Sequence, residues 1–224
     1  MNTLSQLKKT PLCKNIDEAQ LAGLFDQGIF ILQHYPGDSF IFRAGESPQR
    51  LYLLLSGQVE ICRDTLSGRR LLLTTLSKPG DVFGEIYLFI DRDTYDMYAR
   101  AAKPTQVVAI SRHFLSLEHQ SPLGAAVQSN LLSLFAQKAY GMRRRLDILA
   151  GGSLREKIAR FLAGKQTQNA PIILDMTRES LADYLGVTRP SLSRELSLMQ
   201  KDGIIASKGR EIRIIDQAAL DALL

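Results

Sequence analysis

The stretch Thr177–Gly203, TRESLADYLGVTRPSLSRELSLMQKDG, decides the reading of the C-terminal third of the chain. Thr177 suits the N-cap of a short helix, and Leu181 and Leu185 lie one turn apart on its inner face. Ala182 is small where a second helix would cross closely. Gly186 supplies the left-handed turn residue after that helix, and Val187 plugs the turn. Thr188 suits a second N-cap, and Pro190 in the first turn costs no intrahelical hydrogen bond. Leu192 and Leu196 would then face Leu181 and Leu185, which makes the segment a helix-turn-helix. The second helix presents Arg189, Ser191, Ser193 and Arg194 early, with Lys201 further along. Residues at that end of such a helix reach base edges in the major groove. Arginine offers a planar fork for guanine, and hydroxyls serve phosphates as well as bases. Single arginines on helices are usually just solvated, but capped helices, a glycine turn and polar groups gathered at one helix end predict a DNA reader.

Downstream, Gly203–Ile215 predicts a hairpin wing, with Lys208 and Arg210 flanking Gly209 and placed to touch phosphates. Upstream, Gly151-Gly152 breaks the chain, and Ser153 with Glu156 has the spacing of a capping box opening an amphipathic helix through Ile158, Phe161 and Leu162. Before the glycines, Leu132, Phe135, Ala139, Met142, Leu146 and Leu149 repeat at 3-4-3-4-3 spacing. Such a stripe packs either on its own β-domain or against a second copy as a two-stranded coiled coil; the strict heptad favours the copy. Arg143, Arg144 and Arg145 suit the end of that helix.

Towards the N-terminus, Leu21, Leu24 and Phe25 share one face of a short helix. From about His34 to Ser111 the pattern becomes strand-like, in short runs such as Leu51–Leu55, Gln58–Cys62 and Gln106–Ile110. Pro36-Gly37-Asp38, Ala44-Gly45-Glu46, Ser56-Gly57, Ser67-Gly68 and Pro79-Gly80-Asp81 punctuate these runs, which predicts a barrel or sandwich with hairpin connections. The division expected is 1–120, a sensing β-domain; 121–150, a dimerisation helix; and 151–224, a winged helix-turn-helix.

The composition agrees with a soluble globular protein. The 224 residues are 45% hydrophobic and 23% charged, with a net charge of +5 that favours a polyanionic partner. No apolar run reaches the ~18–20 residues of a membrane span, and the N-terminal segment lacks the apolar core of a secretory signal, so a cytoplasmic protein with no membrane partner is expected. Cys13 and Cys62 read as two reduced thiols. No P-loop, GxSxG, HExxH or zinc-type cluster is present, so neither a catalytic nor a metal site is expected.

In this order of parts the chain resembles the CRP/FNR family of bacterial transcription regulators. The likeness rests on Pro79-Gly80-Asp81-Val82-Phe83-Gly84-Glu85-Ile86 in the β-domain and on the block from Thr177-Arg178 to Gly209. It implies an α+β fold: an antiparallel β-roll of double-stranded β-helix or jelly-roll kind, a long dimerisation helix and a winged helix-turn-helix. It also implies a homodimer on inverted-repeat double-stranded DNA, an effector in the roll, and RNA polymerase as a further partner. The DNA contacts implied are Thr177, Arg178, Thr188, Arg189, Pro190, Ser191, Ser193, Arg194, Lys208 and Arg210. Pro190 stands where the family usually has a glutamate that accepts from cytosine.

The effector pocket implied comprises Gly84, Glu85, Ile86, Tyr95 and Asp96. Cyclic-nucleotide-binding members follow the Gly-Glu pair with an Arg-Ser that grips the phosphate, and those places fall on Tyr95 and Asp96. An aspartate there repels phosphate, so cAMP is not the expected effector. Two cysteines cannot supply the four that a 4Fe-4S cluster needs. Haem stays open, with His34, His113, His119, Cys62 or Met97 as ligands, and an unidentified small molecule is the default. Rival readings are a haem-based gas sensor of the same architecture, or a ligand-binding module whose reader no longer works.

Overall fold

A computed structural model describes residues 3–65, 68–90, 92–115, 121–166, 170–174 and 176–224. Contacts divide the chain into two compact units, Met1–Phe135 and Ala136–Leu224. The fold is α+β, with an antiparallel sheet first, then a long helix, then a helical reader with a small sheet.

The first unit opens with α1 (Thr3–Leu7), a 3-10 turn (Pro11–Cys13) and α2 (Glu18–Asp26). A full capping box starts α2: Asp17 accepts from the Gln20 N–H, and the Gln20 side chain accepts from the Asp17 N–H. Leu21 and Leu24 are buried, and Phe25 packs against the same core. Six strands follow: β1 (Phe30–Tyr35), β2 (Phe40–Phe42), β3 (Arg50–Asp64), β4 (Arg70–Leu76), β5 (Val82–Phe83) and β6 (Tyr98–Ser111). The main path runs β1-β6-β3-β4, all antiparallel, with β2 on β6 and β5 on β3. A short helix, α3 (Ile86–Phe89), follows β5.

Two apolar clusters fill this unit. One joins Leu7, Leu12, Leu21 and Phe30 to Leu51, Leu53, Val108, Ile110 and, from the next helix, Val127 and Leu131. The other is rich in aromatic rings and includes Phe42, Tyr52, Phe83, Tyr87 and Tyr95. Gly57 in β3 has φ +102°, and a Cβ there would lie 2.3 Å from Thr105 Oγ1 and 2.5 Å from Thr105 Cα, so only glycine lets β3 and β6 approach this closely.

Helix α4 (Pro122–Leu149) is continuous over 28 residues. Its Asn130 donates to the Leu12 and Lys14 carbonyls, tying down the N-terminal segment. The second unit comprises the end of α4, α5 (Leu154–Ala163), β7 (Ile172–Ile173), α6 (Arg178–Leu185), α7 (Arg189–Lys201), β8 (Ile205–Lys208), β9 (Glu211–Ile214) and α8 (Gln217–Asp221). Its sheet has the order β7-β9-β8. Ile158, Phe161 and Leu162 of α5 share one core with Leu181, Leu185, Leu192, Leu196 and Met199. Ser153 caps α5 by accepting from the Glu156 N–H, but the expected box is altered, because the Glu156 carboxylate takes the Gly152 N–H instead. Among the described residues no helix is long and apolar enough to cross a membrane.

Candidate nucleic-acid interface and effector region

The reader is built from local rules. Thr177 Oγ1 accepts from the Ser180 N–H at 3.1 Å and Thr188 Oγ1 from the Ser191 N–H at 3.4 Å, one cap for each helix. Gly186 takes the left-handed conformation at φ 68° between them, and the Val187 N–H closes back on the Ala182 carbonyl at 3.0 Å. Arg145, expected to serve the end of its own helix, instead donates to the Asp183 and Tyr184 carbonyls in the last turn of α6, the first of which also accepts from the Gly186 N–H.

At the start of α7, Arg189, Pro190, Ser191, Ser193 and Arg194 are all exposed. Ser191 shares its hydroxyl with Thr188 at 2.9 Å. Among the described residues no hydrogen bond or ion pair holds the guanidinium of Arg189 or Arg194. The wing is the β8–β9 hairpin, in which Lys208 pairs with Glu211 across Gly209 and Arg210. A cleft of about 350 Å³ opens between the helix starts and this turn, lined by Thr177, Arg178, Glu179, Arg189, Gly209 and Arg210 among others.

Arg178 departs from expectation. The family resemblance implies a DNA contact here, but the side chain donates to Ser207 Oγ at 2.6 Å and to the Gly209 carbonyl at 3.0 Å, fastening the wing to α6. Its Nη1 is buried without a partner among the described residues, and desolvation lowers its pKa. The guanidinium reaches the cleft only as far as this tether allows. Sequence reasoning missed Arg155 altogether. Its Nε meets Glu195 Oε1 at 2.6 Å and its Nη1 meets Asp202 Oδ2 at 2.7 Å, and these bonds raise its pKa.

The heptad residues of α4 do not all behave alike. Leu132 is 69% exposed, Met142 69% and Leu146 67%, and Ala139 is exposed with them. Phe135 corrects the expectation: it packs edge-to-face on Phe89 of α3 at 5.6 Å, within its own unit. Leu149 is half-buried beside Gly186.

In the roll, Tyr95 stacks on Phe42 at 4.0 Å and meets Tyr87 edge-on at 5.0 Å, while Tyr52 stacks on Phe83 at 5.2 Å. These five rings are each 8% exposed or less, and burial pushes the Tyr52 and Tyr87 phenols up to about 12. The Tyr95 hydroxyl is buried without a partner among the described residues. Asp96 lies at the surface, accepting from the Tyr87 hydroxyl and pairing with Arg63 at 3.8 Å. Gly84 leads into α3, packed close to the Tyr52 ring, and Glu85 is buried at 5% exposure. Ile86 was expected in the pocket; instead it is 56% exposed, since the first turn of α3 points it outward.

Of the haem ligands weighed, His34 and His113 are exposed, Met97 is half-buried, Cys62 is buried, and His119 lies outside the described residues. No cluster of three His, Cys, Asp or Glu able to hold a metal occurs among the described residues.

Comparison with known proteins matches residues 32–117 to the cyclic nucleotide-binding domain and 156–223 to the Crp-like helix-turn-helix domain. A cyclic AMP receptor protein of Thermus thermophilus is 29% identical over 190 residues, covering 84% of this chain and 86% of that protein. A fumarate and nitrate reduction regulatory protein of Vibrio cholerae is 27% identical over 188 residues, covering 80% of this chain and 73% of the other. The crystal structure of a Thermus thermophilus catabolite activator protein superposes with a TM-score of 0.50 at 27% identity, over 96% of this chain and 98% of its own.

Proposed function

Because the chain belongs to the CRP/FNR family of transcription regulators, which are DNA-binding proteins and not enzymes, we propose that it acts as a homodimer reading an inverted-repeat site, one α7 per half-site. The observation that carries this reading is the pair of guanidinium groups, Arg189 and Arg194, unpartnered among the described residues, at the capped start of α7. Arg189 lines a cleft whose walls also bring Arg178 and Arg210 together. Arg189 and Arg194 would reach base edges; Lys208 and Arg210 would meet phosphates. Thr177, Thr188 and Ser191 spend their hydroxyls mainly on the caps and act by fixing the helix starts. Pro190 offers no carboxylate to a cytosine, so the half-site preference differs from that of members with glutamate there.

The second copy would seat on α4 through Leu132, Ala139, Met142 and Leu146. Large apolar side chains this exposed, in heptad register on one helix, form the seam of a two-stranded coiled coil.

The signal sensed in the roll is proposed not to be cAMP. The Thermus relative is named for that nucleotide, but here Tyr95 is buried among aromatic rings and Asp96 presents a carboxylate already paired to Arg63. The effector proposed is a small molecule of another class.

Selection of bound DNA from a random duplex pool by the purified chain tests the reader. A two-fold-symmetric motif is expected, and no enriched motif with any effector supplied would refute the reading. Calorimetry with cAMP tests the second part, and micromolar binding would overturn it.

A further inference from the structure

We infer that Arg155 sets the attitude of α7, and with it the sequence preference of the protein, as a positioning residue that does not itself touch DNA. The inference rests on the DNA-reading function proposed above. Arg155 lies in the first turn of α5 and forks to two carboxylates, Glu195 of the reading helix at 2.6 Å and the C-cap residue Asp202 at 2.7 Å. All three side chains are more than half covered, at 29%, 20% and 45% exposure, so the contacts are partly withdrawn from water.

Seven residues separate the two carboxylates, which is about 10 Å along the helix axis. At about 100° per residue they share one flank of α7, roughly a quarter-turn from Arg194. Leu192, Leu196 and Met199 hold α7 to the core, but apolar contact is non-directional and resists rolling and sliding only weakly. A planar guanidinium bonded at two points two turns apart resists both. A roll of about 10° would carry an arginine tip by about 1.5 Å, enough to break a hydrogen bond that tolerates only about 2.7–3.2 Å. Arg155 also offsets Asp202, a carboxylate placed unfavourably at the C-terminal end of the helix dipole.

The test measures binding of the full chain to its selected duplex and to a scrambled duplex of equal length, across a salt series. The variants are Arg155→Met, the pair Glu195→Gln with Asp202→Asn, and all three together. Arg155→Met and the carboxylate pair should each lose about tenfold in the ratio of selected to scrambled affinity, with no fall on the scrambled duplex and an unchanged salt slope. The triple variant should lose no more than Arg155→Met, since the groups act as one unit. An equal fall on both duplexes with a shallower salt slope would make Arg155 a phosphate contact and overturn the inference. Should Arg155→Met not fold, the carboxylate pair decides, and an unchanged ratio there overturns it. A wild-type chain that prefers no duplex would instead sink the DNA-reading proposal itself.

Discussion

Replacing Leu146 with serine probes the proposed seam on α4 without touching either core. The side chain is 67% exposed in the single chain, so its removal should leave the folded protomer intact. Full burial of a leucine contributes about 1.5–3 kcal/mol, and two thirds of that is about 1–2 kcal/mol per subunit. Two-fold symmetry counts the loss twice, giving about 2–4 kcal/mol per dimer. At about 1.4 kcal/mol per tenfold, the dimer dissociation constant should rise by about 30- to 700-fold. Sedimentation velocity over a concentration series reads this directly, with Gln137→Ala as a control on the opposite helix face. At protein concentrations between the two dissociation constants, the variant should also lose symmetric-site binding. A wild-type chain that stays monomeric at every concentration, or a Leu146→Ser dimer as tight as wild type, would refute the reasoning.

Other outcomes follow from specific contacts. Gly57→Ala should destabilise the roll by about 3 kcal/mol or more, because the new methyl meets the Thr105 backbone at a φ that alanine avoids; an unchanged urea midpoint would contradict this. Arg178→Gln should cost about 1.5–3 kcal/mol in charge-assisted hydrogen bonds. It should also speed amide exchange at Ser207–Arg210 and weaken binding to selected and scrambled duplexes alike; unaltered exchange would show that the wing stands without its tether. Burial pushes the Cys13 thiol up to about 11, against an ordinary value of 9.0, so it should resist aromatic disulfide reagents at pH 8 until the chain unfolds. The folded state then binds that proton more tightly than the unfolded state. Its contribution is therefore whole below pH 9 and is lost as pH rises towards 11, which a urea series across that range would show as falling stability.

The parts of the reader legible in the sequence are those whose partners lie within a turn or two. Thr177, Gly186 and Thr188 act on neighbours three or four residues away, and letter spacing carries that information. The Asp17–Gln20 box carries the same kind of signal and could have been found by the same rule. Arg178 and Arg155 were hidden for the opposite reason. Arg178 finds partners 29 and 31 residues onward, and Arg155 finds them 40 and 47 residues onward, so the hairpin and the helix packing must form before either role exists. Phe135 shows the limit of periodicity: a heptad position says that a side chain seeks apolar cover, not whether the cover is a second copy or Phe89 nearby. Ile86 followed the motif Gly84-Glu85-Ile86 by position alone, whereas its direction is set by the first turn of α3.

The ring-filled interior of the roll has an optical consequence. The chain has seven tyrosines and no tryptophan, so emission excited in the phenol band, beyond the absorption of its nine phenylalanines, comes from tyrosine. Tyr35, Tyr52, Tyr87, Tyr95 and Tyr98 belong to the first unit, against Tyr140 and Tyr184 in the second. Excitation near the phenol band therefore reports chiefly on the roll, and a guest that parts the Phe42–Tyr95 stack would change that emission without any dye or engineered label. Compound libraries can be screened on the unmodified protein by its own light.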